Sequence, residues 1–184
     1  NDKSPINFIK NTLDHGYKEL TIPAGCNEEF MIEEKALHIW PRGQFMLIAL
    51  PNMDKSFTCT LFLPLEGKLS FRSIKTKNQI LEFFEKYFPD TIDLIPELCE
   101  EYQNNPTGKL ATVYCDQWHY KDIALIFGDA AHAIVPFFGQ GMNASFQDCT
   151  VMNFLLKRFE NDWGKIFSEY SRFQVPNGHA IANM

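Results

Sequence analysis

The residues best suited to chemistry gather in one stretch, Gly128–Asn143, which reads GDAAHAIVPFFGQGMN. Asp129 offers a carboxylate and His132 an imidazole, while Gly139 and Gly141 flank Gln140 so that backbone can approach a ligand closely. Before the stretch comes an apolar run, Ile123–Phe127. After it, Met152, Leu155, Leu156 and Phe159 recur at helical spacing. That order predicts a buried strand, a turn at Gly128 with Asp129 at the strand tip, and an amphipathic helix capped by Asn143. Open α/β sheets bind ligands at such crossings. A helix N-terminus also carries unpaired N–H groups and about half a positive charge, which suits an oxyanion or the anionic edge of a reduced ring. An ordinary capped turn would use the same glycines, but it does not call for Asp129, His132 and Pro136 beside them. His132 has no triad partner nearby in sequence and reads as a packed, hydrogen-bonded residue. His15, His38, His119, His132 and His179 show no metal-ligand spacing with cysteines or carboxylates, so no metal is expected.

The rest of the chain must position that stretch. Its 184 residues are enough for a sizeable core, and 45% hydrophobic with 14% aromatic residues argues against disorder. A net charge of −6 argues against nucleic acid as a partner. The five cysteines are widely spaced without a CxxC pair, a pattern of free thiols in a reducing compartment. No apolar run approaches the roughly 18 residues that span a bilayer, so the chain is expected to be soluble, without membrane contact. Ile6, Ile9 and Leu13 allow a short helix after Ser4-Pro5, and Tyr17–Pro23 alternates as a strand. Leu37–Trp40, Phe45–Leu50 and Phe57–Leu63 read as an antiparallel meander turned at Pro41-Arg42-Gly43 and Asn52–Lys55. Ile80, Phe83, Phe84, Tyr87 and Phe88 form a core-facing helix stripe stopped by Pro89, with a second short helix over Leu94–Tyr102 and a strand over Leu110–Cys115. Ile166, Phe167, Tyr170 and Phe173 mark a last helix, ending near Val175-Pro176.

The motifs also resemble a known family. The stretch Gly128–Asn143 is similar to the second flavin-binding motif of aromatic-ring hydroxylases with the p-hydroxybenzoate hydroxylase fold. Within that family, PFFGQGMN, His38–Gly43, Phe45–Asn52 and Ser56–Phe62 are similar to the branch acting on L-kynurenine, a likeness running from about Gly16 onward. The resemblance implies a mixed α/β (α+β) fold. Residues 1–115 would be a substrate domain, an antiparallel sheet with helices, and 116–184 the C-terminal part of a Rossmann-like FAD-binding domain. It implies that FAD is held by Gly128, Asp129, Pro136, Gly139, Gln140, Gly141, Met142 and Asn143, with Asp129 on the ribityl chain. The aromatic substrate would meet Leu37, Ile48, Leu50, Thr60 and Phe62, and also Pro136, Phe137, Phe138 and Gln140. Some relatives carry histidine where this chain has Phe138. NADPH would reduce FAD, and a C4a-hydroperoxide would hydroxylate L-kynurenine to 3-hydroxy-L-kynurenine in tryptophan catabolism and NAD biosynthesis. No acid–base residue is required, so no catalytic residue is assigned. By the same resemblance, the full-length protein would sit at the cytosolic face of the mitochondrial outer membrane.

One expected element is missing from the sequence. It contains a single GxG, at Gly139–Gly141, and no GxGxxG to hold the pyrophosphate of a dinucleotide. The chain is therefore expected to be a central-to-late piece of a longer enzyme, neither yellow nor active alone. Two alternatives stay open: a flavin hydroxylase of another aromatic acid, and a non-catalytic fragment serving as a binding module.

Overall fold

The structure is a computed structural model that describes residues 7–183. It divides into two compact units, Leu13–Leu110 and a second made of Ala111–Met184 with Asn1–Thr12. Two strands, β1 (Phe8–Ile22) and β5 (Gly108–Cys115), contribute residues to each unit.

In the unit Leu13–Leu110, the chain adds β2 (His38–Arg42), β3 (Phe45–Pro51) and β4 (Phe57–Pro64) to a five-stranded sheet of order β2-β3-β4-β1-β5. Strands β2, β3, β4 and β1 pair antiparallel in turn, with Ile48 opposite Ile39 and Thr60, and Leu20 opposite Cys59. The meander is as the alternation predicts, but its first turn is tighter. Pro41 and Arg42 belong to β2, and Gly43 makes the reversal at φ 71°. Pro41 is tolerated there because β2 is an edge strand, where a missing N–H breaks no interior ladder. The period of two in β4 buries Phe57, Cys59, Leu61 and Leu63 completely on one face. Against them pack Ile80, Phe83 and Phe84 of α1 (Lys77–Tyr87), which starts with a capping box between Thr76 and Gln79.

Two expectations about these elements fail. Ile9 and Leu13 lie in β1, not in a helix, because the long strand finds partners in the sheet; Ser4, Pro5 and Ile6 lie outside the described residues. The second helix, α2 (Leu98–Asn104), starts after Leu94 because Pro96 lacks an N–H and disfavours helix at Ile95.

The other unit holds β6 (His119–Tyr120), β7 (Ala124–Leu125), α3 (Asp129–His132), α4 (Gly141–Phe159) and α5 (Trp163–Ala182). Its core is Cys115, Trp118, Ala131, Leu155, Ile166 and Tyr170. The predicted buried strand Ile123–Phe127 is corrected. Only Ala124 and Leu125 are strand, paired antiparallel with β6, and Ile123 is 71% exposed. The apolar character of the run serves packing instead, since Leu125, Ile126 and Phe127 lean on the core and Phe127 stacks on Tyr170 at 5.4 Å. Helix α5 likewise does not end near Pro176 but runs through it to Ala182. Tyr114 donates to the Ala182 carbonyl at 3.1 Å and His179 to that of Cys115 at 3.2 Å, so tertiary contacts hold the turns beyond the proline.

Within the unit Leu13–Leu110, a Cβ on Gly16 would lie 2.6 Å from the carbonyl oxygen of Gly108, a backbone atom that cannot swing away. Gly16→Ala should therefore destabilise the chain by about 1–3 kcal/mol. Equilibrium urea unfolding measures this, and an unchanged midpoint would contradict the close approach of β1 to β5.

Candidate functional site

The stretch Gly128–Asn143 comprises α3, the loop that follows it and the first turn of α4, all within one unit. Gly128 takes φ 59° and ψ −140°, a backbone region essentially reserved for glycine, so the chain can turn there into α3. Its carbonyl accepts the N–H groups of Ala131 and His132. Asp129 is the exposed first residue of α3, not the tip of a five-residue strand. Pro136–Phe138 form a short 3-10 turn, closed by Gly139 at φ 62°. Gln140 then caps α4, correcting the assignment of that place to Asn143. Asn143 lies within the first turn, its amide donating to Gln140 Oε1 at 3.1 Å.

This geometry leaves the start of α4 open. The N–H groups of Gly141, Met142 and Asn143 have no partner within the helix, as in any first turn, whereas that of Ala144 already reaches the Gln140 carbonyl. A Cβ placed on Gly139 or on Gly141 meets nothing within 4 Å, so the backbone there faces free space. Met142 is 67% exposed. An exposed carboxylate at Asp129 and an unobstructed, nineteen-residue helix dipole fit a ligand with hydroxyls at one end and developing negative charge at the other. Beside this loop a cavity of about 130 Å³ is lined by Ile134, Val135, Phe137, Phe138, Gln140, Ile181 and Ala182. Pro136, the remaining residue assigned from this stretch, is exposed and does not line it.

Beneath the loop lies a buried polar network whose centre the sequence reading missed. Asp148 projects from α4 and is 1% exposed. Its Oδ2 accepts from His132 Nε2 at 2.6 Å and from the Gly128 N–H at 3.1 Å, and its Oδ1 from Gln174 Nε2 at 2.6 Å. The indole of Trp118 lies against the His132 ring, with centroids 5.0 Å apart. Burial pushes the Asp148 carboxyl up, but the hydrogen bonds from His132 and Gln174 outweigh it and hold the group below its usual value. Burial pushes His132 down, and the hydrogen bond and charge of Asp148 outweigh that in turn, raising the imidazole. The structural reading of His132 is thus given a partner. A signal for it was present, since Ala144, Asp148, Val151 and Leu155 fall at i, i+4, i+7 and i+11, placing a carboxylate on an apolar stripe.

The remaining assigned residues belong to the sheet of the other unit. Register puts Ile48 beside Thr60, Leu50 beside Thr58 and Phe62 beside Met46, on the face opposite the buried Phe57–Leu63 stripe. Ile48 and Thr60 are half-buried, Leu50 is exposed and Phe62 is buried, its ring 6.4 Å from Tyr17. Leu37, just before β2, is exposed. This half-open face brings Ile48, Leu50, Thr60 and Phe62 onto one surface.

An FAD binding domain family model matches residues 91–169. The chain is 50% identical over 182 residues to a kynurenine 3-monooxygenase of Flavobacterium johnsoniae, covering 99% of this chain and 41% of that protein. It is 48% identical to the one from Dictyostelium discoideum, over 96% of this chain and 41% of that, and 46% identical to the one from Sus scrofa, over 99% and 38%. The chain therefore spans about two-fifths of the length of these relatives. Among solved structures, one of 2-methyl-3-hydroxypyridine-5-carboxylic acid oxygenase superposes at TM-score 0.77 with 19% identity, covering 100% of this chain and 48% of that one. A Klebsiella pneumoniae HpxO complexed with FAD gives 0.72 with 14% identity, over 95% and 45%. The fold is shared with these solved structures. Among the described residues, no helix is long and apolar enough to cross a membrane.

Asp148→Asn tests the network. Three donors face the carboxylate, so the amide NH₂ of asparagine must oppose one of them, costing about 1–3 kcal/mol. In the native chain, the coupling of Asp148 and His132 stabilises fully between their ordinary values of 3.8 and 6.5. It is lost as pH falls through the depressed Asp148 pKa, and again as pH rises through the raised His132 pKa. Thermal unfolding against pH should show both flanks in the native chain and a flatter profile in Asp148→Asn; identical profiles would contradict the coupling.

Proposed function

Because this chain is related over nearly its whole length to the kynurenine 3-monooxygenases, we propose that it forms part of an FAD- and NADPH-dependent monooxygenase that converts L-kynurenine to 3-hydroxy-L-kynurenine. The observation that carries the reading is the 46–50% identity to proteins of that name over 96–99% of the chain. Bound FAD, reduced by NADPH, would supply the activation of dioxygen. The unit with α3 and α4 serves FAD, and the unit Leu13–Leu110 serves the substrate.

The residues then divide the work. Asp129 accepts hydrogen bonds from the ribityl hydroxyls. Gly128 provides the turn that presents it. The N–H groups at the start of α4, over Gly141, Met142 and Asn143, stabilise negative charge on the reduced ring, since they are fixed before the reaction and need not reorganise. Gly139 and Gln140 keep that approach open, and Pro136 stiffens it. In the unit Leu13–Leu110, Leu37, Ile48, Leu50 and Thr60, backed by Phe62, offer a surface for the substrate ring, and in the other unit Pro136, Phe137, Phe138 and Gln140 are the residues assigned to substrate. Holding the pyrophosphate of FAD requires a glycine-rich turn that this sequence does not contain, so this chain by itself would be inactive.

The test uses a protein of the relatives' full length that carries this chain. L-kynurenine should stimulate its oxidation of NADPH, and Asp129→Ala should weaken FAD binding about tenfold or more through lost charge-assisted hydrogen bonds. Absence of stimulation by L-kynurenine would overturn the substrate, and unchanged FAD affinity the role of Asp129.

In the same protein, Phe62→Ala should raise the L-kynurenine dissociation constant about tenfold through lost apolar contact. Equilibrium titration reads this directly. A fall in melting temperature with unchanged affinity would make Phe62 a purely structural residue.

A further inference from the structure

The unit Leu13–Leu110 contains a second, larger cavity of about 350 Å³, lined by Lys18, Phe71, Ile74, Lys75, Tyr102, Gln103 and Thr107. None of these residues has a part in the proposed flavin chemistry. The volume is within the range of small-molecule sites. Two of its polar groups are short of partners. Lys18 is 5% exposed, an unusual place for an ammonium. It donates to the Asn105 carbonyl and lies 5.3 Å from the ring centroid of Tyr102 and 5.9 Å from that of Phe71. Among the described residues no carboxylate forms an ion pair with it. Ring faces and one carbonyl compensate a buried charge only in part. Burial accordingly lowers the Lys18 pKa, with no opposing negative charge to restore it. The Tyr102 hydroxyl in the same wall is buried and has no hydrogen-bond partner, an arrangement that native structures rarely leave unanswered.

We propose that this cavity is a binding site for a small oxyanion, a carboxylate or phosphate group, with Lys18 as its counter-ion and Tyr102 as its hydroxyl donor. One oxyanion answers both deficits. It gives the ammonium an acceptor of full charge and the phenol an acceptor oxygen, and each bond is stronger for being charge-assisted. Lys75 adds a second cation at the wall, and the apolar surface of Ile74 and Phe71 accommodates the body of an organic acid.

The experiment titrates a protein of the relatives' full length that carries this chain with sodium benzoate and, separately, with inorganic phosphate, followed by NMR of the Ile74 methyl and Tyr102 ring signals. Saturable shifts at these positions with benzoate identify a carboxylate site, and with phosphate a phosphate site. Lys18→Met should weaken the responding probe about tenfold to a hundredfold, whereas Lys68→Met, outside the cavity, should leave it unchanged. Tyr102→Phe removes only an unpartnered hydroxyl, so it keeps the fold and should also weaken binding. No saturable shift with either probe, or equal affinity in the native chain and Tyr102→Phe, would overturn the proposal. These readouts involve neither flavin nor L-kynurenine, so they stand or fall apart from the proposed monooxygenase activity.

Discussion

One buried carboxylate sets the shape of the candidate flavin loop. Asp148 accepts from the turn at Gly128, from His132 on α3 and from Gln174 on α5, and is itself carried by α4. Three segments of the sequence, Gly128–His132, α4 and α5, are thereby fixed to one charged group. Such a charge is costly to bury and is tolerated only when its lone pairs are satisfied. Here they are, and the strictness of that condition passes to the loop above. Gly128 can hold its unusual backbone angles because its N–H is anchored from below, while Asp129, one residue on, stays exposed.

The division between buried and open polarity separates support from contact. The imidazole, carboxylate and amide of His132, Asp148 and Gln174 are consumed in holding one another. The groups left for a ligand are backbone N–H groups at the start of α4 and the Asp129 carboxylate. A site built mainly from backbone is insensitive to most side-chain changes, yet sensitive to any glycine that gains a Cβ.

Much of the fold was legible where local period and burial agree. The Phe57–Leu63 alternation and the Ile80–Phe84 stripe became β4 and α1 because each buries one face in the same core. Reading failed where tertiary partners overrule local signals. Ile123–Phe127 has the composition of a central strand, but its neighbours reduce it to two paired residues and an apolar edge. Pro176 has the chemistry of a helix stop, but contacts from Tyr114 and His179 carry α5 past it. In the site, glycines and Asp129 were visible as motif, whereas Asp148 was not, since its meaning depends on three donors brought from other segments. An acidic residue on an apolar stripe is the trace that such a centre leaves in one dimension.

The contact between Trp118 and His132 has an optical consequence. Trp118 is 1% exposed, and a Cβ on Gly178 would approach its ring within 2.9 Å, so the indole is shielded from solvent and held in place. An imidazolium is a far better electron acceptor from an excited indole than a neutral imidazole is. The emission of Trp118 is thus coupled to the proton on His132, and through it to Asp148. The loop's supporting charge carries its own built-in fluorophore, a shielded reporter whose brightness follows the protonation of the ring beside it.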